Sequence, residues 1–518
     1  MLGLRRGAFA AAAFSALLAG AAPAFAVDRS LGASVPKPSP SGVPWTDAEI
    51  AALGANVGIA LAGAPVLRGA HVGVYAIDAR DGRVLYGRNQ DDLFQPASTL
   101  KLLVGSAALE RLGPDARFRT DAVLAGQPSA EPRTSATLIV RAGGDPFLRA
   151  ADFDDLAATL AAQGVRALHD VAFDVSRFEG PNYLPGWSWD DFPYAYAPLV
   201  SALAFEENAV RLTVTPGDTV GAKAHVTATP AAVTIGLPIE GCGFSVMPLF
   251  VPLAMTGAAG SDDTVDLART PFGCTNVVGA IPIGAKPDTL EAAVPFPTAY
   301  AWQALTGALQ RHGIPTLGLT SLTGRDLHLG AAPPDAPVVW THDSEPMRDV
   351  VADLWQPSDN LVGEMLLRHL GVPAAGGAGT TAGGIAVEKT WLQRLGVDTG
   401  ALALEDGSGL SVYDRITPRA LVAILQHDWD GPNRDAVLDA LPIAGVRGTL
   451  RTSFAGTSAA EHVFAKTGTL SHVSALAGYV ATVKHGTVIF AFAVDDWVGD
   501  AAALRDLRAR VLSRFVDG

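Results

Sequence analysis

The sequence predicts an α+β protein with more than one domain, and three observations carry the prediction. First, its 518 residues are too many for one ordinary core. Second, hydrophobic residues make up 49% and charged residues 17%, a globular rather than a disordered composition. Third, strand patterns stand near both ends with helical patterns beside them, and a long strand-rich stretch lies between.

At the N-terminus, Arg5 and Arg6 precede an apolar run, Ala8 to Leu18, and a small-residue site at Ala24-Phe25-Ala26. This is the layout of a signal peptide, residues 1–26, with the mature chain starting near Val27. The paired arginines hint at twin-arginine export. The run is short for a spanning helix and no other stretch is apolar enough, so an exported, extracytoplasmic protein without a stable membrane anchor is expected. Residues 27–45 are rich in Pro and Ser and read as extended. A helix is expected over Asp47–Gly63. The stretch HVGVYAIDARDGRVLYGRN then alternates, turns at Asp81-Gly82 and alternates again, which is a hairpin. PASTLKLLVGSAALERLG, Pro96 to Gly113, reads as the next helix, apolar from Leu100 onward.

From about Thr120 to Pro295 short Val/Thr-rich strands follow one another between Gly and Pro: TLIVRAGG, AVRLTVTP, AHVTATP and AAVTIGLP. This predicts one or two β-rich domains, residues 119–295, inserted between the two parts of a domain at 27–118 and 296–518. Helical patterning returns over Thr298–His312 and Met347–Leu370. Near the end, SALAGYVATV and TVIFAFAVDD are strands joined at Lys484-His485-Gly486. The last helix, Asp500–Val516, puts Leu504, Leu507, Val511 and Phe515 on one stripe. Packing on a sheet explains the stripe; a membrane surface would also accept it.

The formal charge is −14, and losing the signal peptide removes two arginines and no acid, which gives −16. No basic patch stands out, which argues against nucleic acid as a partner. The two cysteines, Cys242 and Cys274, suggest a disulfide in an exported chain, the alternative being two buried thiols. No Cys/His cluster has metal-ligand spacing, so neither a metal nor another cofactor is expected.

Lysine is scarce, seven against thirty-one arginines. A lysine in a motif position therefore points to something arginine cannot do, such as losing its proton. Ser98 and Lys101 share a helix face at i, i+3 spacing, with Pro96 suited to the first turn. That places the hydroxyl near the positive end of the helix dipole, and a neutral lysine within reach can act as its base. Burial beside Leu102 and Leu103 would push the amine toward neutrality. A helix-start serine with a snorkelling lysine would look the same in isolation. A second Ser-x-x-Lys, Ser34 to Lys37, lies in a Pro-rich segment that cannot hold a helix face. Ser358-Asp359-Asn360 alone would be a helix cap, and Lys466-Thr467-Gly468 alone would be a turn with a surface lysine. In the order Ser-x-x-Lys, Ser-x-Asn, Lys-Thr-Gly, the three match the set of the serine penicillin-recognising enzymes.

The chain thus resembles the low-molecular-mass class C penicillin-binding proteins, which are D-alanyl-D-alanine carboxypeptidases and endopeptidases. The resemblance extends through AGGDPFL (142–148), FEGPNYLPGW (178–187), YAPLVSAL (196–203), DGSGLSVYDRITP (406–418), LPIAGVRGTL (441–450) and AKTGTLSHVSALAGYV (465–480). The long insertion between the first and second motifs is also a family trait. It implies a serine β-lactamase/penicillin-binding transpeptidase-like fold, in which the N-terminal hairpin and the C-terminal strands share one antiparallel sheet beside an all-helical lobe. It implies hydrolysis of peptidoglycan stem peptides and crosslinks through an acyl-enzyme on Ser98, with β-lactams as inhibitors. Lys101 would accept the Ser98 proton, Ser358 would relay a proton to the leaving amine, and Asn360 would orient Lys101 and the substrate. Lys466 would stay charged and, with Thr467, bind the substrate carboxylate. Gly468 would leave room for substrate at the strand edge, and the N–H groups of Ser98 and Thr469 would form the oxyanion hole.

Trp355-Gln356-Pro357 before Ser358, and Arg447 in place of an acid, depart from the family pattern. The Ser408 of Asp406-Gly407-Ser408-Gly409 reads as a turn residue, not a second nucleophile. A β-lactamase or esterase on the same fold would need a dedicated deacylating glutamate, which cannot be identified. A non-catalytic wall-binding relative would be expected to have degenerate motifs, and all three are intact.

Overall fold

The structure, a computed structural model, describes residues 35–126, 136–230, 250–270, 274–316, 328–329, 332–333 and 335–518. The signal segment, Cys242 and the strand pattern at 231–238 lie outside the described residues. Cys274 is disulfide-bonded, and Cys242 is the only other cysteine in the sequence.

The two ends of the chain meet in one antiparallel sheet. Its order is Val463–Leu470, Val473–Ala481, Thr487–Asp495, His71–Asp78, Val84–Arg88. Alternation sends successive side chains to opposite faces. Val72, Val74 and Ala76 face Leu53 and Val57 of helix Asp47–Ala62 and Leu504, Leu507, Val511 and Phe515 of helix Ala501–Asp517. Tyr75 and Ile77 face the other way, toward Leu102 and Leu103 of helix Lys101–Arg111 and Leu421 and Leu425 of helix Pro418–Asp430. Every residue of Thr487–Asp495 is buried because both faces are covered. The C-terminal stripe therefore packs on the sheet, not on a membrane surface.

Two expected helices are broken where the motif hydroxyls fall. Pro96–Gly113 is a 3-10 turn, Ala97–Leu100, followed by the α-helix Lys101–Arg111, and Ala97 is left-handed at φ 44°. Met347–Leu370 is two helices, Met347–Trp355 and Asn360–Leu370. Ser358 sits in the break at φ 72°, and Asp359 caps the second helix through Val362 N at 3.0 Å. Left-handed non-glycine residues cost free energy and persist only where their surroundings hold them, which they often do at functional sites.

The β-rich inserted part contains a mixed sheet and a helix. Thr137–Arg141 and Asp170–Asp174 are parallel, joined across helix Ala150–Ala162; Arg119–Ala125 and then Val338–Asp343 each pair antiparallel on one side, and His328–Leu329 pairs parallel on the other. A separate antiparallel sheet holds Ala209–Thr215, His225–Thr229 and Asp288–Ala293. Helix Pro297–Arg311 buries Tyr300, Leu305 and Leu309 in the same core as Phe153 and Leu156. On this packing we propose that the insertion runs to about residue 345 and not to 295.

Leu507 is fully buried under the main sheet. Leu507→Ala should cost about 2–5 kcal/mol in denaturant unfolding. An unchanged unfolding midpoint would mean that the helix does not pack as described.

Candidate active site

The three motifs, far apart in sequence, converge on one site. Ser98, half-buried, lies in the 3-10 turn with its Oγ 2.8 Å from Lys101 Nζ. Lys101 is fully buried as the first residue of its helix. Its Nζ lies 2.5 Å from Asn360 Oδ1 and 2.7 Å from Ser408 O. A neutral amine has two N–H donors and one lone pair. With Asn360 Oδ1 and Ser408 O as acceptors, the lone pair is left for the Ser98 hydroxyl.

Each acceptor is braced in turn. Asn360 opens helix Asn360–Leu370, and its Nδ2 donates to Tyr196 O at 2.6 Å, which sets the amide with Oδ1 toward Lys101. The Ser408 carbonyl shares a peptide unit with Gly409 N, which donates to Asp406 Oδ1 at 2.6 Å. Asp406 also accepts from Ser408 N at 3.1 Å, Ser411 N at 2.8 Å and Trp187 Nε1 at 2.9 Å. Glu364, one turn beyond Asn360, accepts from Ser408 N at 2.8 Å and Gly407 N at 3.1 Å. Gly409, at φ 75°, is packed where a Cβ would collide with Ala97 O. Trp355 Nε1 donates to Lys101 O at 2.8 Å, and a Cβ on Gly105 would come within 2.7 Å of that indole. The tryptophan that departs from the family pattern thus fills a slot opened by a glycine.

A second serine–lysine pair faces the first. Lys466, fully buried on the edge strand Val463–Leu470, donates to Ser358 Oγ and to Thr467 O, both at 2.8 Å. Thr467 is half-exposed, and its Oγ1 donates to Thr449 Oγ1 at 2.8 Å. Thr469 is exposed two residues further along. Gly468 is buried, and a Cβ there would stand 2.6 Å from Pro96 O and 3.1 Å from Ser98 N. Contact between the strand and the turn that carries Ser98 already requires a glycine here, apart from any room needed by substrate. Arg447, in place of the expected acid, is buried and caps carbonyls of Leu441 at 3.1 Å and Asp439 at 2.6 Å.

Burial drives Lys101 down to about 8, and the charges of Asp406, Asp359 and Glu364 keep it from falling further. Burial also pushes Lys466 well below the ordinary lysine range, and the charge of Lys101 adds to the fall. The expected charge on Lys466 is therefore opposed by its burial. Lys101 has three carboxylates that favour its charged form, and Lys466 has none.

Ser98, Lys101, Ser358, Asn360, Lys466, Thr467 and Gly468 are all found together. The sequence reading missed Ser408 O, Asp406, Tyr196 O and Thr449. All four lie in stretches singled out for resemblance, 196–203, 406–418 and 441–450, but their contacts are long-range and no local pattern signals them. Among the described residues, no group of three His, Cys, Asp or Glu side chains could hold a metal ion. No described helix is long and apolar enough to cross a membrane.

Comparison with known proteins agrees with this geometry. The sequence is 35% identical over 433 residues to a D-alanyl-D-alanine carboxypeptidase of Actinomadura sp. (strain R39), covering 80% of this chain and 76% of that one. It is 25% identical over 448 residues to D-alanyl-D-alanine carboxypeptidase DacB of Haemophilus influenzae, covering 84% and 88%. The fold matches the crystal structure of penicillin binding protein 4 (dacB) from Haemophilus influenzae with a TM-score of 0.75 at 23% identity, over 89% of this chain and 100% of that one. With residues 53–514 matching the D-Ala-D-Ala carboxypeptidase 3 (S13) family, the chain belongs to that family of serine peptidases.

Proposed function

We propose that Ser98 is the nucleophile of this D-Ala-D-Ala carboxypeptidase/endopeptidase and Lys101 its general base. One observation carries the assignment: Lys101 Nζ has Asn360 Oδ1 and Ser408 O for its two N–H groups and Ser98 Oγ, at 2.8 Å, for its lone pair. The Ser98 hydroxyl loses its proton to Lys101 as its oxygen bonds to the peptide carbonyl carbon. The carbonyl oxygen becomes an oxyanion, which the N–H groups of Ser98 and Thr469 would stabilise. As the oxyanion collapses the C–N bond breaks; Ser358 gives its proton to the leaving amine and takes one from Lys466, to which it is bonded. Water then releases the acyl group from Ser98.

The substrate's terminal carboxylate supplies the counter-charge that Lys466 lacks. Beside that anion Lys466 regains its proton, and its charge then weakens the hold of Lys101 on a proton. Binding would thus prepare the base. Thr467, held by Thr449, is the second carboxylate ligand. Substrates of this class are peptidoglycan peptides, which places the enzyme outside the cytoplasm, in keeping with the expected signal peptide. β-Lactams present the same carboxylate and a strained carbonyl, and would be trapped on Ser98. A structure of the Haemophilus influenzae penicillin binding protein 4 complexed with a β-lactam has the same fold, with a TM-score of 0.71.

Labelling with a fluorescent penicillin tests the nucleophile and the base together. Ser98→Ala should not label; covalent labelling of that variant would refute the assignment. Lys101→Arg should lose at least about a hundredfold in acylation rate, since arginine keeps the charge but cannot accept the proton. The pH profile tests the base separately. Lys101 is active when neutral and has a pKa of about 8, so the acylation constant should fall as pH drops below 8. A flat profile between pH 6 and 9 would exclude Lys101. In Asp406→Asn the anion behind the Ser408 peptide is gone and Lys101 loses its proton more easily. The acid limb should move to lower pH by about one unit. A loss of amplitude with no movement of the limb would reduce Asp406 to a structural role.

A further inference from the structure

Where the inserted module meets Phe118 and the loop at Gly377 and Ala378, a second recess opens that the chemistry at Ser98 does not use. Strands Thr137–Arg141 and Asp170–Asp174 run parallel and end at Arg141 and Asp174. Their neighbour Arg119–Ala125 is antiparallel, so the strand direction changes beside them. In open α/β sheets ligands settle beyond the carboxyl ends of parallel strands, where the sheet order or direction switches. A cavity of about 620 Å³ opens at this place. That lies within the range of small-ligand clefts, about 300–1,000 Å³.

Four arginines line it, Arg117, Arg119, Arg141 and Arg177, against two acids, Asp121 and Asp174. This is a local excess of positive charge on a chain of net −14. The acids are already engaged. Asp174 accepts from Ser176 N at 2.9 Å and Ala332 N at 2.7 Å, and Asp121 accepts from Arg141 at 3.4 Å and Thr341 Oγ1 at 3.1 Å. Arg119 is held by Asp343 through two bonds of 2.8 and 3.0 Å, and Arg117 donates to Ser344 O. Two groups are left over. Arg177 is exposed and has no side-chain partner among the described residues, and Arg141 Nε is buried without one. Guanidinium forks with unspent N–H groups are matched by carboxylate or phosphate oxygens.

Beneath the recess the chain is closely packed on itself. Gly143 and Gly144, in the AGGDPFL stretch that the catalytic reading left unused, sit where added carbons would collide with Arg119 O and the His369 ring. Phe118 stacks on His369 at 3.8 Å. Burial, helped by Arg177, pushes His369 down to about 3, so the ring is neutral and the positive charge of the cleft is all guanidinium. His369 stands nine residues from Asn360 on the same helix, a separation of about 14 Å.

We infer that this cleft is a second, non-catalytic site, which binds a molecule carrying a carboxylate or phosphate group on Arg177 and Arg141. The volume exceeds that of a lone anion, so the occupant carries the anion on a larger body, such as an acidic peptide or a phosphorylated saccharide.

Calorimetric titration of the full chain in phosphate-free buffer tests this, with inorganic phosphate in one arm and tricarballylate in the other. Saturable binding is expected in at least one arm, weakened at least tenfold by Arg177→Ala and unaffected by Arg505→Ala, an exposed arginine on the C-terminal helix. Penicillin labelling of Ser98 should be unchanged in Arg177→Ala. Binding in the phosphate arm alone identifies a phosphorylated ligand, and in the tricarballylate arm alone an acidic peptide. Arg177 is on the surface and its loss should not disturb folding, so that variant decides. No saturable binding in either arm, or binding that Arg177→Ala leaves intact, overturns the inference.

Discussion

A lysine amine with no solvent exposure must find partners for every proton it keeps, and in this protein it finds two acceptors and one hydroxyl. Lys101 meets Asn360 Oδ1 at 2.5 Å, Ser408 O at 2.7 Å and Ser98 Oγ at 2.8 Å. Burial makes the charged form expensive, and three carboxylates at longer range make it affordable again. The balance brings the amine down to about 8, where it can exchange its proton. Moving a lysine from 10.5 to about 8 corresponds to about 3 kcal/mol. Displacing any of the three contacts would unsettle that balance, so much of the surrounding architecture serves to hold them.

That holding is shared between the two parts of the molecule. The inserted module reaches the site with Tyr196 O, which fixes the amide of Asn360, and with Trp187, which donates to Asp406. Its contribution is to the precision of the base. The helical lobe supplies Glu364 behind the Gly407-Ser408 peptides and Trp355 on the Lys101 carbonyl. Glycines at 105, 409 and 468 mark the points where backbone or indole comes too close for a side chain. The second lysine obeys the same physics with the opposite outcome. Lys466 has a hydroxyl and a carbonyl but no carboxylate to support its charge. In the proposed mechanism an anionic substrate would complete its environment, which would tie recognition of the terminal carboxylate to readiness of Lys101.

Much of the fold was legible because its signals are local. The hairpin at Asp81-Gly82 and the alternation of the terminal strands need only a window of a few residues. The breaks at Ala97 and Ser358 were not legible, because their left-handed backbones are held by contacts from elsewhere in the chain. The pairing inside the inserted module was not legible for a related reason. The strands Thr137–Arg141 and Asp170–Asp174 look alike in any pairing; they run parallel with a helix between them that packs against Pro297–Arg311, which is what supports the proposed boundary near residue 345.

From the sequence alone came the candidate reacting groups: Ser98 with Lys101, Ser358 with Asn360, and Lys466 with Thr467 and Gly468. Their types and spacings are properties of the chain itself, and so is the scarcity of lysine that made two of them conspicuous. The tertiary structure decided which lysine has carboxylates to favour its charge, which peptide carbonyl completes the base, and why position 468 admits no side chain. Those outcomes depend on burial and on charges acting through space across 108 to 307 positions of sequence, distances over which local pattern carries no information.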